Sequence, residues 1–422
     1  MKNGSKVQLR YLNMKNNNIP DIRFPGFTDD WEQCKLGDYK DVRDGTHDSP
    51  KYHLRGHPLV TSKNLKDSGL DLREVSFISD EDFEMINKRS NVDVGDILFG
   101  MIGTIGNPII VNTNDFAIKN VALIKNGGEI SNEFLIQLLK SSVFDKYIRN
   151  ENVGNTQKFL SLSKTREFTF PSPSNEEQFQ IGKFFKRLDD AIALYQNELD
   201  ILKKTKKGLL QKMFPKEGES VPEVRFPGFT DDWEQRKLGE ISSSFEYGIN
   251  AAAKAFDGNN KYIRITDIDD ETRLFLKSDL TSPDIDLKNA EKYILQEGDI
   301  VFARTGASVG KTYIYQISDG LVYYAGFLIR ARIKPEYSAE FVFQYTLTKK
   351  YYKYIIVTSQ RSGQPGVNAQ EYAEIEVVTP NFKEQIAIGN FFKQLDNIIV
   401  LHHQKIDSLH KLKCAYLQKM FL

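Results

Sequence analysis

Ile19–Gly37 reads IPDIRFPGFTDDWEQCKLG, and Val221–Gly239 reads VPEVRFPGFTDDWEQRKLG. From Arg23 and Arg225 onward the two stretches differ at one position, Cys34 against Arg236. Shared composition does not generate a match of that length, so the chain is an internal tandem repeat. The correspondence resumes further on. Glu177–Asp189 (EQFQIGKFFKRLD) matches Glu384–Asp396 (EQIAIGNFFKQLD), and Leu209–Phe214 (LLQKMF) matches Tyr416–Phe421 (YLQKMF). Each half therefore has a shared opening, a long divergent middle and a shared exit.

The exits have a helical period. Ile181, Phe185, Leu188, Ile192, Tyr195, Leu199, Leu202, Lys206, Leu209 and Met213 alternate spacings of four and three, and Ile388 to Met420 repeats that register. Such spacing over several heptads is a coiled-coil seam. Prolines sit only outside the runs, at Pro171, Pro173, Pro215 and Pro380. At 1.5 Å per residue each rod is roughly 50–55 Å long. Lys206 and Lys413 share one seam position. Either they fix register as polar seam residues, or the helices splay there and the lysines snorkel outward. Two equal seams on one chain most simply pack together. The globular domain between them favours an antiparallel pairing, although periodicity alone leaves a parallel one open.

The middles, residues 38–170 and 240–378, read as mixed α/β with short strands at 96–99, 107–111, 122–125, 299–302 and 312–315. Apolar spacing predicts one helix in each, at Asn132–Tyr147 and Ala339–Tyr354. The layout is then a disordered leader at 1–18, a domain at 19–174 and a helix at 175–214. A linker at 215–225, a second domain at 226–380 and a second helix at 381–422 follow.

Fifty-seven basic residues balance fifty-seven acidic ones among 422, so net charge points to no polyanionic partner. Cys34 and Cys414 fall at non-equivalent places, which argues against a disulfide framework. No apolar run is long enough to span a bilayer and the Asn- and Lys-rich leader lacks a signal core, so the expected location is cytoplasmic. Met14 offers an alternative start.

Catalytic motifs fall short. Gly306-Ala-Ser-Val-Gly310-Lys311-Thr312 resembles a phosphate-binding loop, but its first glycine is a threonine and a strand follows it. Gly100, Gly103 and Gly106 recur every third residue and read as turns. Pro283-Asp-Ile-Asp286-Leu-Lys288 is too compact for a nuclease core. His47, His53 and His57 lack the further ligands of a tetrahedral zinc site. What remains is loop chemistry suited to polar base edges and phosphates. The first middle offers Arg43, Thr46, His47, Ser49 and Lys51, then Asn155, Thr156, Gln157 and Lys158. The second offers Tyr247, Asn250 and Lys254, then Arg304, Thr305 and Lys311, then Arg361, Gln364 and Asn368. Singly, each is as well explained as a solvated loop residue. At matching places in two copies, DNA contact is the better reading. Gln157 and Gln364 form such a pair.

The paired FPGF-x-x-x-W-E-x-x-K-L-G openings and E-Q-x-x-I-G-x-F-F-x-x-L-D helix starts resemble the specificity subunit of type I restriction-modification systems. The resemblance covers the chain after the leader. It implies two target recognition domains separated by two antiparallel helices, each domain reading one half of a split site in double-stranded DNA. It also implies two methyltransferase subunits docked on the shared helices, for which Phe184, Phe185, Phe391 and Phe392 are candidates, and two ATP-driven restriction subunits. S-adenosylmethionine, ATP and magnesium belong to those partners, and this chain is expected to hold no cofactor and no catalytic residue. The competing expectation is a two-headed protein-interaction scaffold on a coiled-coil spacer.

Overall fold

The computed structural model describes residues 19–67, 69–152, 159–360 and 364–421. The disorder expected of the leader concerns residues outside that set. Two compact units form, Met1–Gln196 with Lys405–Leu422, and Asn197–Gln404.

Each unit is built on a four-stranded antiparallel sheet of the same order. In the first, Val42–Asp44, Val121–Ile124, Ile97–Gly100 and Gly106–Ile110 lie side by side. In the second the order is Ser242–Tyr247, Leu328–Ile333, Asp299–Ala303 and Thr312–Ile314. The GDILF and GDIVF stretches form the inner strands. Their apolar residues alternate between two cores, Ile97 and Phe99 on one face and Leu98 on the other. Ile300 and Phe302 likewise oppose Val301 and Ala303. The aspartate of each stretch is buried and paired with a cation on the neighbouring strand, Asp96 with Lys125 at 2.5 Å and Asp299 with Arg332 at 2.9 Å.

The opening segment of each copy ends in a strand paired with the one before the long helix, Glu32–Lys35 with Thr169–Ser172 and Glu234–Lys237 with Glu376–Thr379. The one difference between the openings is also a difference in packing. Cys34 faces the core, while Arg236 is exposed and pairs with Glu234. In place of a single helix in each middle there are two, Asn132–Leu139 then Ser142–Glu151, and Ala339–Tyr345 then Lys349–Ser359. Ser141 and Thr348 cap new helices there, accepting from the amides of Val143 and Tyr351. Apolar spacing runs through such a break without registering it.

The long helices run Asn175–Lys212 and Phe382–Met420. The first unit takes the start of the former and the end of the latter, and the second unit takes the reverse. Within each unit the two pieces pack antiparallel on the seam. All the seam residues are buried or half-buried, from Ile181 to Met213 and from Ile388 to Met420. The seam lysines neither splay nor snorkel. Lys413 reaches Asp189 at 2.6 Å in the first unit, and Lys206 reaches Asp396 at 2.5 Å in the second. Gln137 and Gln344 donate to the second oxygens of the same aspartates. Each glycine of the helix motif lies under the next helix of its own domain. A Cβ on Gly182 would press on Glu133, and one on Gly389 on Phe341.

Bidentate ion pairs tie the openings to these helix starts. Arg23 grips Glu177 at 2.6 and 2.9 Å, and Arg225 grips Glu384 at 2.6 and 2.8 Å. Both carboxylates are almost wholly buried. Arg225→Ala therefore strands a buried charge and should destabilise the second unit by about 3–5 kcal/mol. Arg225→Ala combined with Glu384→Leu should recover much of that loss. Urea unfolding followed by Trp233 fluorescence in a Trp31→Phe background measures both, and equal losses for the two variants would count against the account.

Candidate nucleic-acid interface

One lip of each four-stranded sheet is built on the same backbone crossing. Val42-Arg-Asp44 leads into Gly45 and Thr46, whose amides donate to the carbonyls of Val121 and Ile118. Glu246-Tyr247 leads into Gly248 and Ile249, whose amides donate to Leu328 and Tyr324. A Cβ on Gly45 would overlap the Ile118 carbonyl, and one on Gly248 the carbonyls of Tyr324 and Ala325. Glycine is required here by close approach. The scaffold is shared, and the side chains around it are not.

In the second unit the lip gathers residues distant in sequence. Arg304, just past its strand, lays its guanidinium over the Tyr247 ring at 4.9 Å from the centroid. The next residue, Thr305, bridges Gly366, and the Gly306 amide donates to Pro365. The Tyr247 hydroxyl accepts from the Ala369 amide at 3.2 Å. Gln364 stands exposed beside Gly306, and exposed Phe327 adds an apolar edge. A stacked guanidinium keeps its outward donors free for a guanine edge or a phosphate.

In the first unit the lip is a polar chain. Both ring nitrogens of His47 face oxygens, Nδ1 that of Asn120 at 2.7 Å and Nε2 that of Asp44 at 2.9 Å. Arg89 pairs with the other oxygen of Asp44. Ser49 accepts from Lys119 at 2.7 Å. Asn120 sits in the left-handed region at φ 55°, which the following strand Val121–Ile124 fixes through its ladder. An Asn amide so placed suits an adenine edge.

Thr46, His47 and Ser49 thus lie on one lip, and Tyr247, Arg304, Thr305 and Gln364 on the other. Lys51 and Asn250 are exposed on the loops that continue from them. Arg43 spends its guanidinium on Asp41, and Lys254 lies 3.8 Å from Asp284. Asn155, Thr156, Gln157, Lys158 and Arg361 lie outside the described residues. Three expectations change. Lys311 is buried, donating to the Ile268 carbonyl and pairing with Asp270 at 2.5 Å, so it offers nothing to DNA. Asn368 caps the helix Ala369–Ala373 through the Glu371 amide. Phe185 and Phe392 are fully buried in the core and offer nothing to a partner, while Phe184 and Phe391 are half-buried and pack on Phe24 and Phe226. Exposed apolar residues at matching positions were missed instead: Phe179 and Ile386, and Leu194 and Leu401. They lie off the seam, so the period that revealed the helices passed over them. Asp44, Arg89 and Asn120 were also missed, because only the fold brings them to His47. His57 stacks on Phe83 and His53 joins an isolated bridge to Phe77, and among the described residues no group of His, Cys, Asp or Glu could hold a metal ion.

Hydrogen bonds to Asn120 and then Asp44 hold the His47 imidazolium above its ordinary pKa. Its stabilising contribution is full below the unfolded value, about 6.5, and is lost as pH rises through the raised folded value. His47 should therefore titrate above 6.5 by NMR, and Asp44→Asn should bring it down. An unshifted His47 in the parent chain would remove the polar chain as described.

A family model described as type I restriction modification DNA specificity domain matches residues 28–204 and again 230–411. The type I restriction enzyme MjaVIII specificity subunit of Methanocaldococcus jannaschii is 20% identical over 413 residues, covering 94% of each chain. The putative MjaX specificity subunit of the same organism is 28% identical over 240 residues, 53% of this chain and 56% of its own. Among solved structures, the S subunit of a type I restriction-modification system from M. genitalium superposes with a TM-score of 0.65 at 16% identity, covering 96% of this chain and 99% of that one. A chain from a study of type I complex assembly and conformational transition gives 0.52 at 16% identity, covering 94% and 98%.

Proposed function

The chain belongs to the type I restriction-modification DNA specificity family, and on that premise we propose that its two units each read one half of a bipartite site in double-stranded DNA. The observation that carries this reading is the pair of lips, one backbone crossing with two sets of side chains. Arg304 on Tyr247, with Gln364, offers donors to one half-site. His47 and Asn120 offer a different hydrogen-bonding pattern to the other. The long helices set the unread gap. A helix of 38 residues is about 57 Å long, on the order of one and a half turns of B-DNA. The chain itself recognises and does not catalyse. S-adenosylmethionine sits on two modification subunits, and ATP and magnesium on two restriction subunits, all in the cytoplasm. Balanced charge on this chain leaves much of the phosphate binding to those partners.

Modification subunits dock on the helix faces away from the seam, at Phe179 with Leu194 and at Ile386 with Leu401. Recurrence at equal register in both copies suits two copies of one partner. Leu194→Glu should remove one of the two bound modification subunits, and Leu194→Glu with Leu401→Glu both, as counted by native mass spectrometry. Retention of two subunits by the double variant would move docking elsewhere.

Exchanging residues 38–170 for the corresponding middle of a relative should change one half of the methylated motif and leave the other half intact. Methylome sequencing in cells carrying the chain with its partners reads this directly. Both halves changing, or neither, would defeat the modular reading. A chain that assembles normally while no bipartite motif is methylated would favour the protein scaffold.

A further inference from the structure

We propose that Phe327 is a specificity-determining residue of the second unit, reading the 5-methyl group of a thymine beside the base that Arg304 contacts. The inference rests on the half-site function proposed above and assigns part of what one half-site must contain.

The two lips differ in length at one crossing. In the first unit two residues, Lys119 and Asn120, join Ile118 to Val121. In the second, three residues, Ala325, Gly326 and Phe327, join Tyr324 to Leu328. The flanking bonds are the same in both. Thr46 and Ile249 donate to the carbonyls of Ile118 and Tyr324, and Gly45 and Gly248 to those of Val121 and Leu328. The extra residue is taken up in a turn. The Leu328 amide closes it on the Ala325 carbonyl at 2.8 Å, and the Gly326 amide ties it to the Ile249 carbonyl at 2.7 Å. Phe327 is at the tip of that turn. Its carbonyl accepts from the Arg304 amide at 3.0 Å, as the Asn120 carbonyl accepts from the Met101 amide at 3.4 Å. By that bond Phe327 stands where the other lip presents Asn120.

Turn tips favour glycine and small polar residues, so folding does not ask for an aromatic here. Ala325 and Leu328 enter the cores of the unit, whereas Phe327 belongs to none of them and is 60% exposed. A lone exposed apolar side chain is ordinary. The setting of this one is not, because it shares a backbone hydrogen bond with Arg304, whose guanidinium is stacked on Tyr247. In the major groove the thymine methyl is an apolar group among donors and acceptors, and phenylalanine can read it while arginine reads guanine. Side chains rooted one hydrogen bond apart reach bases about one or two steps apart, at roughly 3.4 Å per step. The two lips then differ in kind at one position. The amide of Asn120 asks for a donor and an acceptor, and the ring of Phe327 asks for a methyl group.

Methylome sequencing before and after exchange of residues 38–170 assigns one half-site to the second unit. Each thymine of that half, on either strand, is then replaced in turn by deoxyuridine, which lacks only the 5-methyl group. Binding of these duplexes to the chain assembled with its modification subunits is the measurement. One replacement should weaken binding about fourfold, the effect of one methyl-sized group left unburied. Phe327→Ala should weaken the thymine duplex at least as much and bind the thymine and deoxyuridine duplexes equally, while Phe327→Leu keeps the preference. The side chain is exposed, so both variants should keep the melting temperature and the other half of the motif. Deoxyuridine tolerated at every position, or a Phe327→Ala chain that still prefers thymine, overturns the inference and leaves the half-site function standing. Equal weakening of thymine and deoxyuridine duplexes by Phe327→Ala would make the ring a wedge between bases and overturns it too. Absence of any bipartite methylated motif overturns both the inference and the function beneath it.

Discussion

Neither of the two matched tryptophans is buried by its own repeat alone. Trp31 is 2% exposed because Phe134 and Phe421 close on it, and Trp233 is 4% exposed under Phe341 and Phe214. Phe421 ends the second repeat, whereas Trp31 opens the first. Phe214 ends the first repeat, whereas Trp233 opens the second. Each core thus needs the tail of the other repeat's helix. Only antiparallel packing brings a tail to each tryptophan, and large aromatic burial is the dominant favourable term available there.

That constraint explains why the two copies are most alike in their openings and in their long helices. The opening and the helix start are far apart in sequence and adjacent in space. Arg23 and Arg225 reach the motif glutamates, and the motif glutamines accept from the Ser131 and Ser338 amides, holding the next helix of each domain. The motif aspartates take the lysines of the opposing helix. Every shared position named here has a partner that is also shared, apart from the tryptophan donors. Trp31 donates to Glu177, while the Trp233 nitrogen is buried without a partner.

Much of this frame was legible in the sequence. The seam was readable because helix packing is periodic, and the inner strands because short apolar runs sat between turn signals. The rest depended on direction, which residue type does not encode. Lys311 and Arg304 are both cations near glycines, yet one points inward to Asp270 and the other outward over Tyr247. Asn368 carries an amide suited to a base edge, yet the oxygen of that amide is taken by the Glu371 N–H in capping. Phe184 and Phe185 are shared aromatics, yet Phe185 is buried in the core and Phe184 packs half-buried against it. The polar chain at His47 needed Arg89 and Asn120, which no spacing connects to it.

The lips also bear on how a neutral chain could recognise DNA. Several of their cations are already answered internally, Arg43 by Asp41, Arg89 by Asp44 and Lys254 by Asp284. Such groups contribute little to long-range attraction, which follows unneutralised charge. What they contribute is orientation. Asp44 fixes His47, and His47 fixes the Asn120 amide, so its donor and acceptor are presented in one arrangement. Hydrogen-bond readout depends on that arrangement far more than on net charge. On the function proposed above, a chain organised this way gains discrimination from its own residues and leaves non-specific phosphate affinity to its partners.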